Sequence, residues 1–110
     1  MVRLLLTDFE LMILLAILRT GEHAYGVPIA MEIETTGHRP VMLPAIYAAL
    51  DRLERRGLAA SSVGDPTPER GGRAKRFFRV TPAGLRAVTQ TQRSLVAMWT
   101  GLPQLKGGGA

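Results

Sequence analysis

Cysteine is absent from this 110-residue chain. That excludes disulfide cross-links and thiolate metal sites, and it fits a reducing cytoplasm. Catalytic patterns are missing as well. No serine–histidine–acid spacing, Walker-type glycine loop or pair of catalytic carboxylates stands out, so neither an enzyme nor a cofactor is expected. The two histidines, His23 and His38, fall in separate loops without a clustered acid, so no metal site is expected. The apolar stretch Leu11–Leu18 is too short to span a bilayer. Arg3 followed by Leu4-Leu5-Leu6 starts like a secretion signal, but Asp8 and Glu10 interrupt it and no small-residue cleavage site follows. A cytoplasmic protein without a membrane partner is the expectation.

The composition fits a single globular domain: 46% of residues are hydrophobic. A chain this short has a modest core of its own, so burial shared with a second copy is anticipated. The net charge of +5 is unevenly spread. Residues 1–38 hold two basic side chains against five acidic ones, whereas residues 39–93 hold eleven against four. Positive charge is therefore gathered in one stretch, as a polyanion-binding surface requires. A merely solvated basic face would give the same count.

Local signals divide the chain into four helices and a hairpin. Thr7-Asp8-Phe9-Glu10 matches a capping box and opens a helix running from Asp8 to about Arg19, stopped by Gly21. Its body is apolar on nearly every side, which predicts one side facing the core and another facing a partner subunit. Tyr25-Gly26 opens a second helix with Pro28 in its first turn, Ile29 and Ile33 as its apolar stripe, and Gly37 at its end. A third helix starts at Pro44 and ends at Gly57. Ile46, Leu50 and Leu53 point inward by their spacing, which leaves Pro44, Ala48, Asp51 and Arg55 outward with Tyr47 and Arg52 on the flanks.

Leu58–Val63 and Lys75–Val80 read as two strands, with Phe78 and Val80 on one face and Phe77 and Arg79 on the other. Between them lies a long loop rich in glycine and proline. Thr81-Pro82 then caps a fourth helix, along which Leu85, Val88, Leu95, Trp99 and Leu102 keep near-heptad spacing. A helix, a two-stranded ribbon and another helix in that order make a winged helix-turn-helix, with one helix for the major groove and one loop for phosphates or the minor groove. The chain divides into a DNA-binding unit over 1–81, a dimerisation helix over 82–102 and a disordered tail over 103–110.

Three segments resemble the PadR family of winged-helix transcriptional regulators. They are Tyr25-Gly26, then Ile46-Tyr47-Ala48-Ala49-Leu50-Asp51-Arg52-Leu53-Glu54-Arg55-Arg56-Gly57-Leu58, and then Arg73-Ala74-Lys75-Arg76-Phe77-Phe78-Arg79-Val80-Thr81-Pro82-Ala83-Gly84. The resemblance implies a cytoplasmic homodimer whose third helix and wing bind an inverted-repeat operator in double-stranded DNA. It is similar to the branch with a single short C-terminal helix, whose members usually repress and in some cases release DNA on binding a small, often aromatic, molecule. Three positions differ from the family pattern. Leu43-Pro44 stands where a small polar residue usually precedes the recognition helix, Asp51 where a basic residue is common, and Phe78 where tyrosine is common.

Candidate DNA contacts follow from side-chain chemistry. Arg52 and Arg55 can donate to guanine O6 and N7 or clamp phosphates. Asp51 can accept from cytosine N4, although an ion pair with Arg55 four residues on is favoured. Ala48 is small enough to let the helix seat deeply, and its methyl can touch thymine. Tyr47 either donates to a phosphate or packs between helices. The third helix carries no asparagine or glutamine, so the commonest adenine readout is missing. Arg70, Arg73, Lys75 and Arg76 surround Gly71-Gly72 and suit a narrow minor groove or the backbone. Leu11, Leu14, Leu15, Leu85, Val88, Leu95 and Trp99 are the expected dimer contacts, and Trp99 doubles as a stacking surface for a planar apolar effector. Two other readings stay open: a winged-helix protein-interaction module, and a small-molecule binder with little DNA affinity.

Overall fold

The computed structural model describes residues 6–64 and 75–105. Helix α1 (Asp8–Thr20) begins with the expected capping box. The Glu10 amide donates to the Thr7 hydroxyl at 3.1 Å, and the Thr7 amide donates to the Glu10 carboxylate at 3.0 Å. Gly21 ends the helix in a left-handed conformation (φ 62°) that favours glycine. Ile13, Leu14, Ala16 and Ile17 are buried, and α1 packs against α2 (Gly26–Gly37), α3 (Leu43–Arg55) and α4 (Pro82–Trp99). Leu15 and Leu18 remain exposed on its other side. Leu14 corrects the expected dimer surface: it is fully enclosed in the chain's own core and has no side chain left to offer a partner.

Helix α3 starts at Leu43, one residue before Pro44, and ends in a Schellman turn. Gly57 (φ 75°) lets its own amide reach the Glu54 carbonyl at 3.0 Å and the Leu58 amide reach the Leu53 carbonyl at 2.9 Å. Leu53 and Leu58 are both buried, so the turn is sealed from the core side. The chain then enters β1 (Ala59–Val63), which pairs antiparallel with β2 (Arg76–Val80) in the register Ala59↔Val80 to Val63↔Arg76. The free edge of β2 is not left open. The Phe78 amide donates to the Ala24 carbonyl at 2.8 Å, which ties the wing to the segment just before α2.

Helix α4 opens as expected from Thr81, whose hydroxyl accepts from the Gly84 amide at 3.0 Å and donates to the Gly57 carbonyl at 2.6 Å. Gly84 is required by close approach: a Cβ there would lie 2.1 Å from the Leu58 carbonyl oxygen. The first half of α4 is thereby pressed onto the end of α3, and Gly84, Ala87 and Thr91 are buried. Beyond Thr91 every residue of α4 is exposed. Leu95, Val96, Met98 and Trp99 thus stand clear of the core on an elongated molecule of 56 × 34 × 21 Å. The expected tail departs from the reading in one place: Pro103–Leu105 form a 3-10 turn, closed by the Leu105 amide on the Leu102 carbonyl at 3.1 Å. Leu102 and Leu105 there gather with Trp99 around shared apolar surface, which gives the turn a reason to form.

Candidate nucleic-acid interface

The helical period turns Ile46, Ala49, Leu50 and Leu53 of α3 into the core, all fully buried. The opposite face, with Pro44, Ala48, Asp51 and Arg55, is exposed. What surrounds that face decides what it can do.

On one flank Tyr47 lies across the start of α2. A Cβ at Gly26 would fall 2.3 Å from the Tyr47 hydroxyl oxygen, so only glycine lets the ring lie there. Tyr47 is still 44% exposed. The packing reading of this residue therefore describes its position: the hydroxyl end of the ring lies against Gly26 at the start of α2, and part of the side chain stays exposed. Beside it, Tyr25 and Phe77 meet edge to face with centroids 5.5 Å apart, and the Lys75 ammonium sits 4.8 Å from the Tyr25 ring centroid. This cluster fixes the base of the wing against the residue that leads into α2.

On the other flank Glu10 is a buried carboxylate on α1. Arg56 donates to both of its oxygens at 3.3 Å, and Arg52 Nε lies 4.0 Å from it. The charge of Glu10 is thus matched from α3, which anchors that helix to α1. Arg52 is about half exposed and keeps part of its guanidinium surface for an outside partner.

The wing strand reaches over α3 through Arg76. Its guanidinium binds Glu54, lies 3.4 Å from Asp51, and donates from Nε to the Ser61 hydroxyl at 3.0 Å. Ser61 in turn donates to Glu54 at 2.7 Å, and the Phe78 ring centroid lies 5.0 Å from the Arg76 guanidinium carbon. This corrects the ion pair expected between Asp51 and Arg55. The sheet register sets Arg76 at the outer end of the ladder, opposite Val63, where it competes successfully for both carboxylates. Arg55 has no partner among the described residues. Arg76 thus joins wing to helix, and its side chain, like that of Arg52, stays about half exposed. Arg70 and Arg73, expected at the wing tip, lie outside the described residues.

The remaining expected contacts sit on α1 and α4. Leu15, Leu85, Leu95 and Trp99 are exposed, whereas Leu11 and Val88 are half-buried and Val88 packs against the core. Trp99 is 54% exposed and, with Val96, Leu102, Pro103 and Leu105, borders an open apolar depression of about 670 Å³. Among the described residues there is no metal-binding cluster, and no helix is long and apolar enough to cross a membrane. Sequence reasoning missed Met42 and Leu43, which are 74% and 39% exposed at the tip of α3. The uninterrupted apolar spelling from Val41 to Ile46 was the available signal.

This arrangement has a counterpart in known proteins. The model of the PadR-like transcriptional regulator family matches residues 14–90, which takes in all of α2, α3 and the hairpin. The chain belongs to that family. The transcriptional regulator Rv3488 of Mycobacterium tuberculosis is 38% identical over 73 residues, covering 64% of this chain and 62% of its own length. The fold is shared with a PadR-like regulator from Bacillus cereus, at a TM-score of 0.70 and 21% identity over 90% of this chain and 91% of that one. A transcriptional regulator from Clostridium thermocellum superposes at a TM-score of 0.68 and 23% identity, covering 81% of this chain and 83% of that one. Four helices and a two-stranded antiparallel hairpin are therefore the family's winged helix in this PadR-like chain.

Proposed function

We propose that this PadR-like chain is a sequence-specific DNA-binding regulator rather than an enzyme, acting in the cytoplasm as a homodimeric repressor. The observation that carries the reading is the open face of α3, where Arg55 has no partner among the described residues and Arg52 is half exposed, with Lys75 at the base of a wing that Arg76 latches to the helix. A convex helix accompanied by cations fits the major groove, and the exposed part of Tyr47 is the candidate for a phosphate contact. Residues 1–81 supply this unit. The outer half of α4, with Leu95, Val96 and Trp99 exposed, supplies the dimer contact together with Leu15 of α1. A two-fold dimer presents two recognition helices about one DNA turn apart, so the operator is an inverted repeat.

Trp99 beside its apolar depression supports an effector site for a planar apolar molecule at the dimer seam. Such a molecule releases DNA only if it binds the DNA-free spacing of the dimer more tightly than the DNA-bound one. Selection of duplexes from a random pool tests the DNA reading: an enriched inverted repeat supports it, and an unenriched pool returns the chain to the protein-interaction reading. Titration with planar dyes tests the switch. Quenching of Trp99 together with weakened operator binding, both lost in Trp99→Ala, is the expected result.

A further inference from the structure

We infer that the tip of the recognition helix reads thymine, through its 5-methyl group, rather than any base through a side-chain hydrogen bond. The inference rests on the DNA-binding reading and deepens it by naming the base class in each half-site.

From Val41 to Leu50 the chain runs Val-Met-Leu-Pro-Ala-Ile-Tyr-Ala-Ala-Leu. Tyr47 is the one strong hydrogen-bonding side chain in that run, and its ring is held against Gly26. The outward and leading surface is made of Met42, Leu43, Pro44, Ala45 and Ala48, all exposed, with Met42 the most open at 74%. No side chain caps the helix start, so no hydroxyl or carboxylate is held there either. The next polar group on the outward face is Asp51, which Arg76 occupies. The leading turns of α3 therefore meet the floor of a groove with methyl, methylene and thioether surface only.

In the major groove, guanine, adenine and cytosine offer hydrogen-bonding edges, and thymine alone adds an apolar group, its C5 methyl. Every base pair loses hydration at its hydrogen-bonding edge against this surface, and only a pair that carries a thymine methyl regains free energy by apolar burial. The cations farther along α3 and at the base of the wing fit DNA as the occupant: Arg55 has no partner among the described residues, Arg52 is about half exposed, and Lys75 stands over the Tyr25 ring. Phosphate contacts from these residues would hold the helix in register while the apolar tip is pressed into the groove.

The test replaces each thymine of the selected duplex in turn by deoxyuridine, which removes the methyl and leaves every hydrogen-bonding group in place. At one or more thymines facing the helix tip, affinity is expected to fall about four-fold per methyl, and about fifteen-fold when both half-sites are changed. Met42→Ser or Ala48→Gly should erase the uridine penalty at the thymine that the side chain touches. Met42→Ser places a good N-cap residue at the helix start and is expected to fold. Specific binding with every deoxyuridine duplex within about two-fold of its parent, well under the burial of one methyl, overturns the thymine assignment and leaves the regulator reading standing. Failure to enrich any duplex overturns the regulator reading itself, and this inference with it.

Discussion

Gly26→Ala is expected to weaken DNA binding while leaving the fold almost intact. The added Cβ would lie 2.3 Å from the Tyr47 hydroxyl oxygen, 2.5 Å from Cζ and 3.0 Å from Cε1. To regain ordinary contact at about 3.4 Å the ring tip must retreat by about 1 Å. The obstructing atoms are the far end of a side chain that is 44% exposed, so the ring can swing outward instead of forcing α2 and α3 apart. Off-rotamer strain in Tyr47 costs about 1 kcal/mol. Alanine in place of glycine in a helix offsets much of this, being worth up to about 1 kcal/mol. Stability should therefore stay within about 1 kcal/mol of the parent. DNA affinity should fall about ten-fold or more if the hydroxyl donates to a phosphate, since a hydrogen bond to a charged group is worth roughly 1.5–3 kcal/mol. Thermal melts and duplex titrations on Gly26→Ala, Tyr47→Ala and the double variant form the assay. The double variant should bind no worse than Tyr47→Ala alone. Additive losses, or unchanged affinity in the folded Gly26→Ala protein, would refute the claim that Gly26 positions Tyr47 for DNA.

Other perturbations read other parts of the structure. Arg76→Met removes two partly exposed ion pairs and should cost about 1 kcal/mol of stability. It also leaves Asp51 and Glu54 uncompensated near the phosphates, so DNA affinity should fall by more than stability does, and adding Asp51→Asn should restore part of it; no restoration would mean that Arg76 itself touches DNA. Leu95→Glu places a charge on the exposed apolar outer half of α4, and light scattering should show a dimer becoming a monomer, whereas an unchanged dimer would move the seam elsewhere. Glu32 accepts from Thr36 at 2.5 Å and from Arg19 at 2.7 Å, and the Thr36 hydroxyl first, then Arg19, hold its carboxyl below the ordinary value. Its contribution to stability is complete above the ordinary carboxylate range and is lost as pH falls through the lowered pKa. Glu32→Gln should thus melt slightly lower than the parent at neutral pH and level with it in strong acid; a gap that persists in acid would contradict the assignment.

Signals confined to a few neighbouring residues survived folding intact. The Thr7–Glu10 box, the Gly57 stop and the Thr81 cap each depend on groups within one turn, and each formed where the residues place it. Pairings that depend on how distant elements meet were not legible. Asp51 and Arg55 have the right spacing for an ion pair, yet Arg76 reaches Asp51 through a strand register that helix periodicity does not specify. Leu14 shares an apolar run with Leu15, and only the packing of α1 against three other helices separates the buried one from the exposed one. The Ala24 carbonyl that closes the edge of β2 carries no side-chain signal at all. The apolar tip of α3 is plain in the letters from Val41 to Ile46, but Met42 and Leu43 carry no hydrogen-bonding group and so no chemical signal of a DNA contact.

The central claim, that the α3 face and its flanking cations bind duplex DNA, is tested most directly by the salt dependence of binding to the selected duplex. Arg52, Arg55 and Lys75 from each of two subunits would displace counterions from about six phosphates, so log K against log salt should fall with a slope of about −5 or steeper. Arg55→Ala should flatten that slope by about 1.8 in the symmetric dimer. A slope near zero, with no change in Arg55→Ala, would contradict the account.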